Sequence, residues 1–513
     1  MHARTAGVLI PLFSLRTRND LGIGDIAALK LMTDLSVRMG HRAILMLPVD
    51  ETGPADASPY SAVSLFAIDP IYISAAALPR SISEHIQSVA AKTREMTLAD
   101  RLEIRKAKFE LFEAAFRHFQ KGANRSEREA VEAFVREQSE WIEDYALFRA
   151  LKDRFEWRAW EEWPADLRSR DASAIAAARH ELAEPIAKYI YWQSLAHREW
   201  AEARAYAAAH RVMIGGDLAF SPGRDSAEVW SNQEMFDLRR SVGAPPDAFS
   251  ASGQRWGLPM PRWDLMRASN MKLMRARVRH ARSLFDFVRI DHVVGLYRTF
   301  SFGAELDEPG EFSPSVPADQ KVQGEEIMRA VLDEAKETRV IAEDLGVIPP
   351  FVRASLAALR IPGYKVMRWE KANWGHPNER YLKPSEYPKL SVAVTGTHDT
   401  ETLSVWWRET APRERVQFAE ALGNPEEIEP ASDKLSQAAL DAILRALYST
   451  PSQMTIVPMQ DLFGWDERIN LPGTVGIENW TWRLPWTLER TFVDRSIGAR
   501  LSRLKEIAHR TRR

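Results

Sequence analysis

Apolar and polar positions along this chain form a rhythm of short apolar runs and helical stretches. Eight runs are apolar enough to be buried β-strands: residues 6–13, 43–48, 212–217, 287–291, 340–344, 363–367, 391–396 and 454–459. Runs of this length are typical of parallel strands that are covered on both faces. Helical periodicity separates most of them, as in residues 264–285, 324–338 and 433–447. Eight strands in a strand-then-helix rhythm predict an α/β protein built on a (β/α)8 TIM barrel.

A second architecture shows the same rhythm. An open, doubly wound sheet also alternates strands with helices, and it often binds a nucleotide at a glycine-rich loop after a strand. No predicted strand is followed by a G-x-G-x-x-G or a G-x-x-x-x-G-K-[ST] sequence. The closed barrel is therefore the better prediction.

The stretch between the second and third predicted strands has a different character. Residues 81–210 show helical spacing of apolar residues and no convincing strand. We expect them to form a helical insertion subdomain, and we expect residues 1–80 and 211–513 to form the catalytic barrel, with smaller loop subdomains around its C-terminal face. Residues 303–323 are acidic and rich in proline, which predicts a surface loop.

Composition narrows the functional classes. The 513 residues carry 69 basic and 71 acidic side chains, so no global charge favours nucleic acid or a membrane surface. Cysteine is absent, which excludes disulfides, thiolate zinc sites and a cysteine nucleophile. The first residues lack the apolar core of a signal peptide and no run is long enough to span a membrane, so we expect a cytoplasmic protein. The 17 tryptophans are many for one core. Exposed tryptophans often form flat platforms for sugars or bases, although tryptophan is also a good core residue.

Four of the later predicted strands end in, or lead directly to, a carboxylate: Asp217, Asp291, Glu343 and Asp399. The active site of a (β/α)8 barrel lies at the C-terminal ends of its strands, so we expect these acids to converge there. Arg289 lies two residues before Asp291 and therefore shares its face of the strand, which favours an ionised carboxylate. A buried structural ion pair would explain Arg289 and Asp291 alone, but four acids on one ring indicate chemistry.

Two kinds of chemistry use such a cluster. Carboxylates suit Mg²⁺ or Ca²⁺, so a metal site is one alternative, although Arg289 already supplies a fixed positive charge in the same place. Cleavage of a glycosidic bond is the other, because it needs one carboxylate at the anomeric carbon and a second, protonated one at the leaving oxygen. We favour glycosidic chemistry and expect no metal. A separation of the two carboxyl groups of about 5 Å would indicate retention, and one of about 6.5–9.5 Å inversion.

Nine segments, in chain order, carry a family resemblance: Gly-Ile-Gly-Asp at 22–25, Ser-Pro-Tyr-Ser at 58–61, Gly-Asp at 216–217, Asp-Ser-Ala-Glu-Val-Trp at 225–230, Gly-Gln-Arg-Trp-Gly at 253–257, Arg-Ile-Asp-His at 289–292, Ala-Glu-Asp-Leu-Gly at 342–346, Gly-Thr-His-Asp at 396–399 and Asn-Trp-Thr-Trp-Arg at 479–483. The chain resembles the 4-α-glucanotransferases, the amylomaltase or disproportionating-enzyme family (family seventy-seven of the glycoside hydrolases), from residue 7 to about residue 483.

The resemblance implies roles for individual residues. Three acids would be catalytic, with Asp291 as the nucleophile, Glu343 as the general acid/base and Asp399 as the acid that grips sugar hydroxyls and helps to distort the ring. The implied substrate-binding residues are Tyr60, Asp217, Arg289, His398, Gln254, Trp256 and Phe249. Of these, Tyr60 would stack on the sugar, while Phe249 and Trp256 would form walls that bind sugar and exclude water. For two of these residues a purely structural role stays open, because Gln254 and Trp256 could simply anchor a loop.

Two stretches depart from the family pattern. The loop at 243–250 has Ala248-Phe249 where the family often has two adjacent aromatics, so one acceptor-side platform is expected to be missing. Residues 313–324 also match the family pattern poorly. The first departure bears on acceptor affinity and chain-length preference rather than on the chemistry.

The implied activity is transfer of an α-1,4-glucan segment to the 4-hydroxyl of an acceptor glucan or glucose, by a retaining mechanism and without a cofactor. The expected partners are therefore maltooligosaccharides and glucose, with no nucleic acid and no membrane, in a monomer or a homodimer. Three alternatives stay open: an α-amylase-type retaining hydrolase, a non-enzymatic glucan-binding protein, and a carboxylate metalloenzyme.

Overall fold

The computed structural model describes residues 4–54, 56–246, 253–304, 308–423, 425–474, 476 and 478–513. Its β-strands are β1 (Thr5–Leu9), β2 (Ala43–Leu45), β3 (Met213–Leu218), β4 (Phe236–Ala244), β5 (Gln254–Pro261), β6 (Phe287–Ile290), β7 (Thr299–Phe302), β8 (Glu311–Ser313), β9 (Arg339–Ala342), β10 (Gly363–Val366), β11 (Lys371–Ala372), β12 (Arg380–Tyr381), β13 (Ser391–Val394) and β14 (Met454–Pro458). Its α-helices are α1 (Ala28–Arg38), α2 (Ser83–Thr93), α3 (Arg101–Gly122), α4 (Arg125–Glu137), α5 (Ile142–Arg154), α6 (Ala165–Arg168), α7 (Ala172–Glu181), α8 (Ala183–Ala209), α9 (Ala227–Ser231), α10 (Trp263–Ala268), α11 (Lys272–Leu284), α12 (Val293–Tyr297), α13 (Pro317–Ala335), α14 (Pro350–Ala358), α15 (Leu403–Glu409), α16 (Pro412–Leu422), α17 (Pro425–Ile428), α18 (Gln437–Ser449), α19 (Met459–Phe463) and α20 (Arg495–Arg510).

Eight parallel strands close into a barrel in the order β1-β14-β13-β10-β9-β6-β3-β2, with β2 pairing back to β1. These are the strands that the eight apolar runs predict, so the predicted α/β class and (β/α)8 barrel are confirmed. Their side chains are almost all buried, as expected for strands covered on both faces.

Two glycines allow β3 to lie close against its neighbour β6. A Cβ atom at Gly215 would lie 2.1 Å from the Phe287 ring, and one at Gly216 would lie 2.4 Å from the Phe285 ring. Because both glycines lack that atom, the two aromatic rings fill the space. The resulting register pairs Asp217 with Arg289, and this places the acid and the guanidinium on adjacent strands.

The stretch between β2 and β3 contains the seven helices α2 to α8, and its described residues form no strand. Its helical character therefore agrees with the sequence pattern, with α5 packed along α8. The limits of a separate subdomain at residues 81 and 210 stay a prediction.

A second sheet, antiparallel and in the order β5-β4-β7-β8, is absent from the sequence prediction. Strands β4, β5 and β8 are partly exposed, and β4 carries the charged Arg239 and Arg240, so these strands lack the apolar runs of the barrel strands. Gln254 and Trp256 lie on β5. Phe249 and its neighbour Ala248, between β4 and β5, lie outside the described residues.

Two local predictions need correction. The predicted surface loop over residues 303–323 is wrong in part, because Glu311–Ser313 pairs with β7 and α13 begins at Pro317. Proline is accepted in the first turn of a helix, where the amide hydrogen that it lacks would have no partner. The helical stretch at 264–285 is two helices, since Asn270 and Met271 both have positive φ and interrupt it. No helix among the described residues has the length and apolar character needed to cross a membrane.

Candidate active site

Acidic side chains from four barrel strands meet at one end of the barrel. Asp217 lies in β3, Asp291 directly follows β6, and Glu343 directly follows β9. These three strands are neighbours, so their C-terminal ends lie side by side. Asp399 comes from the loop after β13. The structure therefore brings together the four strand-end acids that the sequence predicts.

Arg289 lies at the centre of these acids. Its Nη1 donates to both carboxylate oxygens of Asp217, at 2.7 and 2.5 Å, and to Asp291 Oδ1 at 2.9 Å. Its Nη2 lies 3.9 Å from Glu343 Oε1. The Arg289 side chain is buried, and a buried guanidinium needs carboxylate partners to offset its lost hydration. One positive charge thus holds Asp217 and Asp291 in fixed positions.

Glu343 is the acid whose environment favours the neutral form. Its side chain is 16% exposed, and its Oε2 accepts a hydrogen bond of 2.7 Å from the backbone N–H of His292. Burial raises the pKa of Glu343 to about 8. The positive charge of Arg289 opposes this rise, and the negative charge of Asp291 adds to it. Near neutral pH this side chain can therefore supply a proton.

Tyr60 and His398 connect Asp217 to Asp399. The Tyr60 hydroxyl donates to Asp217 Oδ2 at 2.7 Å and lies 3.1 Å from His398 Nε2. The same His398 nitrogen is 3.3 Å from Asp399 Oδ2. The rings of Tyr60 and His398 stack with centroids 5.4 Å apart, so His398 covers one face of the tyrosine ring.

Asp399 differs from Glu343 in its environment. Its side chain is 43% exposed, and its Oδ1 accepts a 2.7 Å hydrogen bond from Asn470 Nδ2. Burial acts to raise the pKa of Asp399, but His398, the Asn470 hydrogen bond and the charge of Arg289 together lower it to about 2. The cluster therefore contains one carboxyl group kept neutral and another kept ionised, an arrangement found where two acids have different tasks.

The β4–β5 hairpin brings two further residues to the site. The Trp256 ring meets the His292 ring edge-on with centroids 4.8 Å apart, and Trp256 Nε1 donates to Gln254 Oε1 at 3.3 Å. His292 is the residue between Asp291 and the start of α12, so Trp256 packs against the residue that directly follows the predicted nucleophile. Of the ten predicted site residues, Phe249 alone has no observed position, because it lies outside the described residues.

The family of this chain follows from a comparison with protein-family models. The model described as 4-alpha-glucanotransferase matches residues 10–489. The chain belongs to the 4-alpha-glucanotransferase family. A 4-alpha-glucanotransferase from Chlamydia trachomatis serovar D is 32% identical over 518 residues, which cover 98% of this chain and 94% of the relative. One from Thermus thermophilus is 32% identical over 483 residues, covering 92% of each chain.

A solved structure shares the complete fold. The amylomaltase from Streptococcus agalactiae, determined in complex with acarbose, superposes with a TM-score of 0.84 at 26% identity. The match covers 99% of both chains. The barrel, the helical segment and the antiparallel sheet of this 4-alpha-glucanotransferase family member are therefore found together in an amylomaltase.

Several further residues lie at the site whose roles the sequence pattern does not predict. Asn470 donates to the Asp399 carboxylate, and Arg468 Nη2 donates to the Asp399 backbone oxygen at 2.8 Å. Trp480 lies 5.9 Å from Tyr60 between ring centroids, and 5.9 Å from His398. Trp480 falls in one of the family-like segments, which was a signal that could have found it. Asn470 and Arg468 lie in an irregular stretch, where no periodic pattern marks them.

The helical segment holds the loop that carries Tyr60. Buried Glu51, near the start of that loop, accepts hydrogen bonds from Tyr145 at 2.5 Å and from Arg149 Nε at 2.9 Å, both on α5. Gln193 on α8 binds both the N–H and the C=O of Ile68 near the end of the loop. These contacts fix the base of the loop, and they give the helices between β2 and β3 a structural task at the site.

Replacing Tyr60 by phenylalanine tests this arrangement. The change removes the hydroxyl that bonds Asp217 and His398, and hydrogen bonds to charged groups contribute about 1.5–3 kcal/mol, so we expect roughly a ten- to hundredfold loss in kcat/KM for glucan transfer. Tyr448→Phe is the matched control, because it removes a 2.8 Å bond to His41 elsewhere in the fold. Parental kcat/KM in Tyr60→Phe would show that the hydroxyl does not organise the site.

Proposed function

We propose that this protein is a 4-α-glucanotransferase that moves a segment of an α-1,4-glucan to the 4-hydroxyl of an acceptor glucan or of glucose, with retention of configuration. The observation that carries the proposal is the placement of Arg289, which bonds Asp291 while lying 3.9 Å from Glu343. An ion-paired carboxylate beside a neutral carboxyl group is the minimum machinery for breaking a glycosidic bond by double displacement. The names of the relatives agree with it.

In the first step, Asp291 attacks the anomeric carbon of the bound glucan. The bond from that carbon to the bridging oxygen breaks, and Glu343 gives its proton to this oxygen, which leaves as the 4-hydroxyl of the released chain. The donor segment is then held on Asp291 through a covalent ester. The raised pKa of Glu343, about 8, keeps the proton available for this step.

In the second step, the ionised Glu343 takes the proton from the 4-hydroxyl of an incoming glucan. The acceptor oxygen attacks the anomeric carbon and displaces Asp291, which becomes a free carboxylate again. Two inversions at the same carbon give net retention. The same residue serves as acid and then as base, and no cofactor takes part.

Asp399 is proposed to bind the reacting glucose unit. Its half-exposed carboxylate can accept hydrogen bonds from two neighbouring sugar hydroxyls, while Asn470 and His398 hold it from behind. Hydrogen bonds to sugar hydroxyls that strengthen as the ring flattens stabilise the transition state more than the ground state. Tyr60, Asp217 and His398 line the same position, and Trp256 and Gln254 are proposed to form the acceptor side.

Incubation with maltotriose tests the proposal. A transferase gives glucose together with a ladder of chains longer than maltotriose, because the acceptor outcompetes water at the covalent intermediate. The Asp291→Asn protein is the control for background hydrolysis. Products that are only shorter than maltotriose would instead identify an amylase-type hydrolase.

The two remaining alternatives make other predictions. A glucan-binding protein without activity would leave maltotriose unchanged, and Asp291→Asn would bind glucan as tightly as the parent. A carboxylate metalloenzyme would lose its activity when a chelator is added and regain it with a divalent cation. Under our proposal the chelator changes nothing. A cytoplasmic location and a monomeric or homodimeric state stay predictions from the sequence.

The pH dependence of kcat/KM should report the proton on Glu343. Its pKa is raised to about 8, so the acid is protonated below that pH and the first step proceeds; above it the proton is lost. We therefore expect kcat/KM for maltotriose to fall about tenfold per pH unit above roughly pH 8. His398→Gln is the control. If the fall in kcat/KM above roughly pH 8 were absent from this variant, the assignment to Glu343 would be contradicted.

A further inference from the structure

All 17 tryptophans of the chain fall within the described residues, and nearly all are buried or half-buried. The two exceptions are Trp369, which is 41% exposed, and Trp374, which is 67% exposed. Both lie in the same excursion of the chain, between β10 and β13. Because burial of a tryptophan in the core is favourable, two exposed rings on one excursion indicate a surface with a binding task.

Strand pairing and ion pairs surround Trp374 in this excursion. Strands β11 and β12 pair through Lys371 with Tyr381 and Ala372 with Arg380, and Trp374 lies on the turn between them. The Lys371 ammonium is 3.1 Å from Glu379 and 2.9 Å from Glu414 on α16. It also lies 5.6 Å from the centroid of the Trp374 ring, against one side of it. A ring supported in this way presents a flat apolar surface to solvent at little further entropic cost.

The same excursion is continuous with the catalytic cluster. Arg368, immediately before Trp369, donates from Nε to Thr395 O at 3.0 Å and from Nη1 to Glu401 at 2.8 Å. These two partners flank the loop that carries His398 and Asp399. The segment that leads from β10 into the hairpin of Trp374 is therefore anchored beside the loop that holds the third acid, at the C-terminal rim of the barrel.

We propose that Trp374 is an outer platform for α-1,4-glucan, contacting sugar units of a long chain beyond those bound next to Asp291. The inference rests on the proposed function, since it takes its ligand from the reaction at the neighbouring site. The face of a glucose ring carries C–H groups that pack on an indole ring, while its rim of hydroxyls can reach polar groups. Lys371 and Glu379 supply such groups beside Trp374. A chain too short to leave the catalytic cluster does not reach the platform.

Replacing Trp374 by alanine tests the proposal through chain length. We expect KM for a long, linear amylose to rise about three- to tenfold, which is the range that loss of one aromatic contact gives, with kcat unchanged. The kinetics of transfer from maltotriose should stay as in the parent. Trp374→Phe keeps a flat ring and should keep most of the affinity for amylose.

Phe492→Ala is the matched control, because Phe492 is an aromatic residue that is 49% exposed. Its ring lies beside Arg38, the last residue of α1, and the chain enters β2 shortly after that helix. Phe492 is therefore at the end of the barrel where the strands begin, opposite the acids. A KM for amylose that is unchanged in Trp374→Ala would overturn the proposal. So would an equal change for amylose and maltotriose, which would assign the hairpin to the catalytic cluster itself.

A binding measurement separates this inference from the proposed function. In the Asp291→Asn background, calorimetry with amylose should show weaker binding when Trp374→Ala is added, whether or not the parent is a transferase. Equal affinity with and without the tryptophan would overturn the platform. Failure of the parent to lengthen maltotriose would instead overturn the proposed function.

Discussion

Replacing Asp291 by asparagine should lower the rate of glucan transfer by roughly 10⁴- to 10⁶-fold, the range found when a covalent nucleophile is removed. The reason is that an amide neither attacks the anomeric carbon as a carboxylate does nor leaves from it in the second step. The protein should stay folded, because Arg289 keeps its two bonds to Asp217 when its partner at Asp291 becomes neutral. Initial rates with maltotriose, together with the thermal unfolding midpoint, measure both effects.

Asp286→Asn is the matched control for this variant. Asp286 directly precedes the same strand, β6, at the opposite end of the barrel, where it accepts hydrogen bonds from Ile214 N at 2.9 Å and from Arg204. A change there should affect stability and leave the transfer rate close to parental. Transfer by Asp291→Asn at a rate near that of the control would contradict the assignment of the nucleophile.

Replacing Glu343 by glutamine should lower the transfer rate by roughly 10²- to 10⁴-fold, the usual contribution of a general acid and base. The effect should depend on the leaving group. A maltosyl fluoride needs little protonation of its leaving fluoride, so its first step should proceed in Glu343→Gln, whereas the second step still lacks a base. We therefore expect a burst of fluoride release followed by a slow steady rate.

The neighbouring acid provides the comparison for Glu343. Asp344 is buried, but its carboxylate turns away from the cluster to the backbone N–H of Tyr364 at 2.7 Å and to Arg353. Asp344→Asn should therefore show no difference between the glucan and the fluoride donor. If Glu343→Gln slows the first step equally for both donors, so that no burst of fluoride is seen, the residue does not act as the acid of that step.

The barrel could be predicted from the sequence because its strands are buried on both faces. Runs such as Phe287–Ile290 and Ser391–Val394 are apolar enough to be recognised without neighbours, and each leads to an acid that marks the C-terminal end. The β4–β5 hairpin could not be predicted, because its strands are half-exposed and their pairing depends on contacts with each other. The break between α10 and α11 at Asn270 and Met271 could not be predicted either. Both residues have positive φ, but neither is a glycine, the residue that usually marks such a conformation.

The residues of the site also divide into those that the sequence predicts and those that it does not. The convergence of Asp217, Asp291 and Glu343 follows from strand order and from the position of each acid at the end of its strand. Asn470 approaches Asp399 only through the tertiary fold, from a stretch without regular structure, so nothing local predicts it. The number of tryptophans alone does not tell core rings from surface ones: rings such as Trp160, Trp192 and Trp200 are buried in the core, and the exposed ones lie in the excursion after β10.

The claim that the donor segment is carried on Asp291 can be tested by mass spectrometry. Glu343→Gln is incubated with a maltosyl fluoride, quenched in acid and digested with pepsin. We predict a peptide that contains Asp291 and is heavier by one maltosyl group, with fragmentation placing the sugar on that residue. A folded variant that releases fluoride and carries the sugar on Asp217 or Asp399, or carries none, would contradict the mechanism.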